Sequence, residues 1–135
     1  MTKSRQVAAL PWRKTRQGIE FLLITSRETK RWVIPKGWPM PHLIDSNAAK
    51  REAFEEAGIV GRVRRVPFGQ FTYNKKHKDQ SISALVVDVY ALQVLQLLPT
   101  WPERGERKRR WTKQVDAFDL VLEPQLKSLL EIFKP

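Results

Sequence analysis

The chain has 135 residues, 41% of them apolar, enough for a packed core within the size range of one domain. It has no cysteine, which excludes disulfide frameworks and thiolate metal sites, and neither a membrane-length apolar run nor a charged-then-apolar leader at Met1 is seen, so the default setting is cytoplasmic. Lys and Arg number 25 against 14 Asp and Glu, a net charge of +11 whose field concentrates anions such as polyphosphates or nucleic acid, although basic residues are most often simply solvated.

Residues 6–12 and 19–25 are β-favouring runs joined by the polar segment 13–18, which reads as a hairpin-like connection. Trp32-Val33-Ile34 predicts a short third strand stopped at Pro35. The stretch Pro35-Lys36-Gly37-Trp38-Pro39 reads as a shaped loop outside regular structure, because proline lacks a donor and glycine admits unusual dihedrals. Asp45, Ser46 and Asn47 are candidate N-caps for a helix over 48–57, which Gly58 would end from the C′ position. Segments 60–73 and 81–98 predict long strands about the basic turn 74–79. A charged loop over 103–110 follows, and Trp111 opens a short strand or turn. Leu126, Leu129, Leu130 and Phe133 recur at helical spacing within 124–133. This order predicts an α+β fold with a mixed β-sheet between helices, an α/β/α sandwich, as a single domain over residues 1–135.

The helix at 48–57 carries the chemistry. Glu52, Glu55 and Glu56 fall at i, i+3 and i+4, fanning over an arc of roughly 100° on one side. Ala49, Ala53 and Ala57 form a neighbouring small apolar stripe that lets the helix lie close against a sheet while its acidic side faces a cleft. Three carboxylates so close repel one another unless a cation sits among them, and hard oxygen donors suit Mg²⁺ or Mn²⁺. The plainer alternative is a solvated helix with Arg51 and Glu55 as an i,i+4 ion pair.

Gly37, five residues, Leu43, seven residues and then Arg51-Glu52-Ala53-Phe54-Glu55-Glu56-Ala57-Gly58-Ile59 resembles the Nudix box, G-x5-E-x7-R-E-U-x-E-E-x-G-U with U a bulky aliphatic. Two positions depart from it: Leu43 stands where the family has glutamate, and Ala53 is smaller than the usual U residue. The approach to the box, from Leu22 through Arg31-Trp32-Val33-Ile34-Pro35-Lys36-Gly37, is similar to the diphosphoinositol and diadenosine polyphosphate hydrolase branch, and the resemblance extends over nearly the whole chain.

The resemblance implies that Glu55 and Glu56 bind a divalent ion, that Glu52 binds metal or positions and deprotonates water, and that Arg51 orients the acidic cluster. It places the carbonyl of Lys36 near the metal, with the Lys36 side chain, Arg27 and Arg31 beside the box as candidate phosphate contacts. A further acidic ligand is expected from the loop before Trp111, with Glu106 favoured over Glu103. The surrounding Arg104, Arg107, Lys108, Arg109 and Arg110 either bind phosphate or keep that glutamate paired. His42 and His77 read as exposed and neutral, and Trp12, Trp38 and Trp101 as packing residues or base-stacking platforms.

Three functions compete. The first is a metal-dependent hydrolase acting on the diphosphate linkage of a small phosphate-rich substrate: a nucleoside polyphosphate, a dinucleoside polyphosphate or a diphosphoinositol compound. The second, motivated by Leu43 and the charge, is a catalytically weak module of the same fold binding nucleotide or RNA through a basic surface. The third, a general RNA-binding domain, leaves the intact R-E-x-x-E-E pattern unexplained.

Overall fold

The computed structural model describes residues 4–135. Met1, where a leader was sought in the sequence, lies outside the described residues. In chain order the elements are β1 (Ser4–Thr15), β2 (Gly18–Thr25), β3 (Trp32–Val33), β4 (Lys36–Gly37), α1 (Asp45–Ala57), β5 (Ile59–Val63), β6 (Gly69–Lys76), β7 (Ile82–Leu97), β8 (Arg109–Lys113), α2 (Gln114–Leu120) and α3 (Pro124–Ile132). Among the described residues, eight strands form one mixed sheet: β1 runs parallel to β7, and the other pairs are antiparallel.

The sheet divides where the site lies. The strands β1 and β2 pair only from Trp12↔Phe21 to Thr15↔Gly18. Beyond that they part, and the short strands fill the gap: β3 pairs with β2 through Ile24↔Val33, and β4 pairs with β1 through Val7↔Gly37 and Ala8↔Lys36. Pro35 sits between them, and its carbonyl accepts the Ala9 amide at 3.0 Å. The expected loop at 35–39 is therefore corrected in part, since Lys36 and Gly37 are a two-residue strand. Its missing donor makes Pro35 a point where the chain changes partner.

Alternation along the strands separates two cores. Val7, Ala9, Leu22, Ile24, Tyr90 and Leu92 face α1, whose Ala48, Ala49, Ala53 and Ala57 are fully buried against them. Ala8, Leu10, Phe21, Leu23, Val87 and Val89 face α2 and α3 through Ala117, Leu126, Leu130 and Phe133. Helices thus cover both faces, the α/β/α arrangement expected. The short helix α2 was absent from the sequence reading, as its seven residues contribute a single buried side chain, Ala117.

Two further expectations are corrected. The segment 60–73 is two strands, β5 and β6, yet both pair with the single strand β7. The chain leaves the ladder over 64–68, at Pro67, and returns with the Arg64 amide bonded to the Ala91 carbonyl and the Phe68 amide to the Val89 carbonyl. The helix α1 begins at Asp45 with Ile44 as N-cap, and no side chain caps it. Asp45 instead accepts Arg5 at 2.7 Å, and the Ser46 hydroxyl is buried without a hydrogen-bond partner among the described residues. Gly58 ends α1 as expected, at φ +67°.

Candidate active site

The helix α1 lies with its acidic side toward the gap filled by β4. The Glu56 side chain is 5% exposed, Glu52 is half-buried, and Glu55 turns outward to accept Arg51 at 3.1 Å. The i,i+4 ion pair is thus present, and Arg51 meets the cluster through Glu55. The carboxylate of Glu52 lies directly over the Cα of Gly37, where any added Cβ would overlap it. Here glycine is required by close approach, not by its dihedrals.

Burial first, and a hydrogen bond with Glu52 second, push the Glu56 carboxyl up to about 9. Burial also raises Glu52, partly offset by that same bond. The two carboxyls are thus coupled, and burial favours the protonated form of each. Arg107 compensates only in part, at 3.6 Å from Glu56, because it also serves Glu103 at 2.9 Å.

Lys36 projects from β4 with its ammonium 5.1 Å above the Tyr73 ring. Burial holds it below the ordinary lysine range, while Glu56 and Glu123 favour its charge and Arg31 and Arg107 oppose it. Lys36 therefore joins the carboxylate end of the cleft to a second ion pair, Arg31 with Glu123 at 2.8 Å. Arg27 stands apart, exposed and 3.4 Å from Glu106. Of the two loop glutamates, Glu103 is the one brought to the cluster, sharing Arg107 with Glu56. The favoured Glu106 is on the outer rim with Arg27.

The loop before β8 also finishes α1. A helix end leaves carbonyls without partners. Here the Glu103 amide donates to the Glu55 carbonyl at 3.0 Å, the Trp101 indole N–H to Glu56 at 3.1 Å, and the Arg109 guanidinium to Ala57 at 2.8 Å. Arg109 lies over the Trp101 ring at 3.9 Å, and the ring packs so closely on Gly58 that a Cβ there would collide with it. Three donors, from Trp101, Glu103 and Arg109, thus hold the end of the helix that bears Glu55 and Glu56.

Among the described residues, no three His, Asp or Glu side chains already stand together as a ligand set. The donor chemistry nevertheless fits a hard divalent ion. Carboxyls crowded together out of water favour either a proton or a cation among them, and Mg²⁺ is commonly held by one or two carboxylates together with waters and substrate phosphates.

The remaining candidates separate by environment. Trp12 packs on Phe133 at 5.6 Å, and Trp101 is committed to the helix end. Trp38 is 48% exposed with Lys75 at 5.4 Å from its ring, and so keeps an open face beside the cleft. His42 is exposed, whereas His77 is half-buried and bonded to the Ser83 hydroxyl at 2.7 Å.

Leu43 lines a groove of about 430 Å³ on the solvent side of α1 with Asn47, Lys50, Arg51, Phe54, Ile59 and Val60. It thus adds apolar surface where the box has a carboxylate.

The sequence matches the family model described as the NUDIX domain over residues 2–131. The chain belongs to the Nudix family. It is 34% identical over 119 residues to Nudix hydrolase 12, mitochondrial, of Arabidopsis thaliana, covering 85% of this chain and 58% of that protein. It is 34% identical over 119 residues to the diphosphoinositol polyphosphate phosphohydrolase 3-beta of Bos taurus, covering 87% of this chain and 68% of that one. The Nudix fold is seen again in the C. elegans Ap4A hydrolase, with a TM-score of 0.65 at 24% identity over 96% of this chain and 94% of the other. Glu123, Tyr73 and the Trp101–Arg109 clamp escaped the sequence reading, because each depends on contacts far along the chain. Only the position of Glu123 before Pro124 carried a local signal, and that signal was for a helix cap.

Proposed function

We propose that this Nudix protein is a Mg²⁺- or Mn²⁺-dependent hydrolase, working as a single domain over residues 1–135, that cleaves the diphosphate linkage of a small phosphate-rich substrate. Nucleoside polyphosphates, dinucleoside polyphosphates and diphosphoinositol compounds are the substrate classes. The observation that carries this reading is the placement of Glu52 and Glu56 on one side of α1, with the Glu52 carboxylate closed against Gly37 and Arg107 3.6 Å from a buried Glu56. The names of the relatives, a diphosphoinositol polyphosphate phosphohydrolase and an Ap4A hydrolase, support the same substrate chemistry.

Glu55 and Glu56 would hold the ion, with the Lys36 carbonyl as a further donor and Glu103, ahead of Glu106, as the loop acid. The bound ion supplies charge neutralisation on the diphosphate and a more acidic water. Glu52 accepts the proton of the attacking water, from its place over Gly37. Lys36 and Arg31 hold the phosphates that do not react, Arg27 meets those that project beyond the cleft, and Arg51 keeps Glu55 turned along the helix. A cytoplasmic setting belongs to the same reading, in keeping with a sequence without cysteine.

Assaying released phosphate and nucleotide with Mg²⁺ and Mn²⁺ against a panel of these three substrate classes tests it. Hydrolysis that requires the ion and is lost in Glu56→Gln is the expected result. Leu43 supports the second reading, a catalytically weak module binding nucleotide or RNA. Tight binding of nucleotide or RNA without turnover of any compound in the panel would establish that reading instead.

A further inference from the structure

Glu123 occupies the N-cap position of α3, directly before Pro124, where a short polar side chain would ordinarily accept an amide from the first helical turn. It makes no such bond. Both of its oxygens instead accept from one terminal nitrogen of Arg31, at 2.8 and 3.2 Å. The Glu123 side chain is 9% exposed and that of Arg31 28%, so the acid is fixed within the protein while part of the guanidinium still meets solvent. The other guanidinium nitrogens of Arg31 have no hydrogen bond among the described residues. The arginine is therefore held by one corner, with donors to spare. The Lys36 ammonium lies 5.1 Å above the Tyr73 ring, and both groups sense the charges of Arg31 and Glu123. The helix α3 has a separate anchor, in which the Gln125 side-chain oxygen accepts the Thr72 amide at 2.6 Å and the Thr72 hydroxyl at 3.0 Å.

We propose that Glu123 is a positioning residue: from the start of α3 it fixes the Arg31 guanidinium so that its unused donors face the phosphate chain of the substrate. This rests on reading Arg31 as a phosphate contact. A free arginine loses side-chain freedom when it takes a phosphate, whereas one already held by a carboxylate gave up that freedom on folding. The negative charge of Glu123 works against phosphate binding, but Arg31 and Lys36 together outweigh it. Because Glu123 is the more buried partner, it remains in place when phosphate arrives.

The test is a double-mutant cycle on the full chain with diadenosine tetraphosphate as substrate, alongside calorimetric binding of inorganic tripolyphosphate in EDTA. Glu123→Ala is expected to raise KM, and to weaken tripolyphosphate binding, about two- to tenfold while kcat stays within about twofold. Arg31→Ala is expected to do at least as much, and the double variant no more than Arg31→Ala alone. Gln125→Ala, which loosens the other anchor of α3, should lower Tm and leave KM unchanged. If Arg31→Ala raises KM but Glu123→Ala leaves it unchanged or lowers it, the positioning role is wrong while the hydrolase reading stands. Equal and additive effects of the two variants also overturn it. Arg31→Ala without effect removes the contact on which the inference rests, and a wild-type protein that neither turns over the substrate nor binds tripolyphosphate removes the site reading itself.

Discussion

The indole N–H of Trp101 donates to the main-chain carbonyl of Glu56 at 3.1 Å, tying the loop before β8 to the residue at the centre of the carboxylate cluster. Trp101→Phe keeps most of the ring that packs on Gly58 but leaves that carbonyl unpaired. A cost of roughly 1–3 kcal/mol follows, seen as a Tm lower by several degrees. Arg109→Ala removes the donors to Ala57 and Leu98 and should cost at least as much. Turnover should fall in both variants even at temperatures where they are fully folded, because the end of α1 that carries Glu56 is no longer fixed. Thermal melts and kcat measured well below Tm check this, and unchanged kcat would confine the clamp to stability.

In the metal-free protein Glu56 titrates at about 9, against an ordinary 4.5. Between those values the folded state holds a proton that the unfolded chain releases. The contribution of this group to stability is thus fully present below about pH 4.5 and is lost as the pH rises toward 9. Urea unfolding in EDTA should show a lower midpoint at about pH 8.5 than at about pH 5.5, and Glu56→Gln should flatten that slope and stabilise the protein at the higher pH. Parallel pH profiles in the two proteins would show that Glu56 does not hold that proton.

Gly37→Ala places a methyl where the Glu52 carboxylate lies. Glu52 must move, and a misplacement near 1 Å is enough to lower kcat by on the order of 10²-fold. Glu52→Gln should likewise lower kcat, with a smaller loss of substrate affinity than Glu55→Gln or Glu56→Gln. Should Gly37→Ala retain wild-type kcat with an unaltered fold by circular dichroism, the position of Glu52 over this glycine has no part in the reaction.

Glu103 and Glu106 are separated by one comparison of metal affinity. Glu103 shares Arg107 with Glu56, whereas Glu106 meets only Arg27 on the rim. Glu103→Gln should weaken Mn²⁺ binding about tenfold or more and Glu106→Gln by less than about twofold. Calorimetric titration reads both, and the reverse order would return the role to Glu106.

What was legible in the sequence was what is local. The acidic fan of α1, its alanine stripe and the stop at Gly58 follow from spacing along one helix, and all three are present. The strands β1, β2 and β7 were visible as β-favouring runs because alternation or continuous apolarity marks them without reference to partners. The two-residue strand at Lys36 and Gly37 was not, since it exists only because β1 and β2 part beyond Trp12. The interruption at Pro67 had a signal in the proline itself, concealed by the β-favouring residues on either side of it. How the loop turns is not local: with Trp101 packed on Gly58, the chain presents Glu103 to Arg107 and leaves Glu106, the residue favoured in the sequence, beside Arg27. Glu123 is the plainest case, because a carboxylate before a helix-starting proline looks like a cap until Arg31, far away in sequence, claims it.

The way β5 and β6 share one partner also bears on engineering. Register on β7 is re-established on both sides of the interruption, by Arg64 with Ala91 and by Phe68 with Val89, so the intervening chain carries no pairing information. Val66, 75% exposed at its tip, is therefore a natural port for grafted sequence. A peptide tag, or the reporter half of a split fluorophore, placed there would lengthen a closed loop at little entropic cost and leave the strand ladder, the helix α1 and its carboxylates where they are.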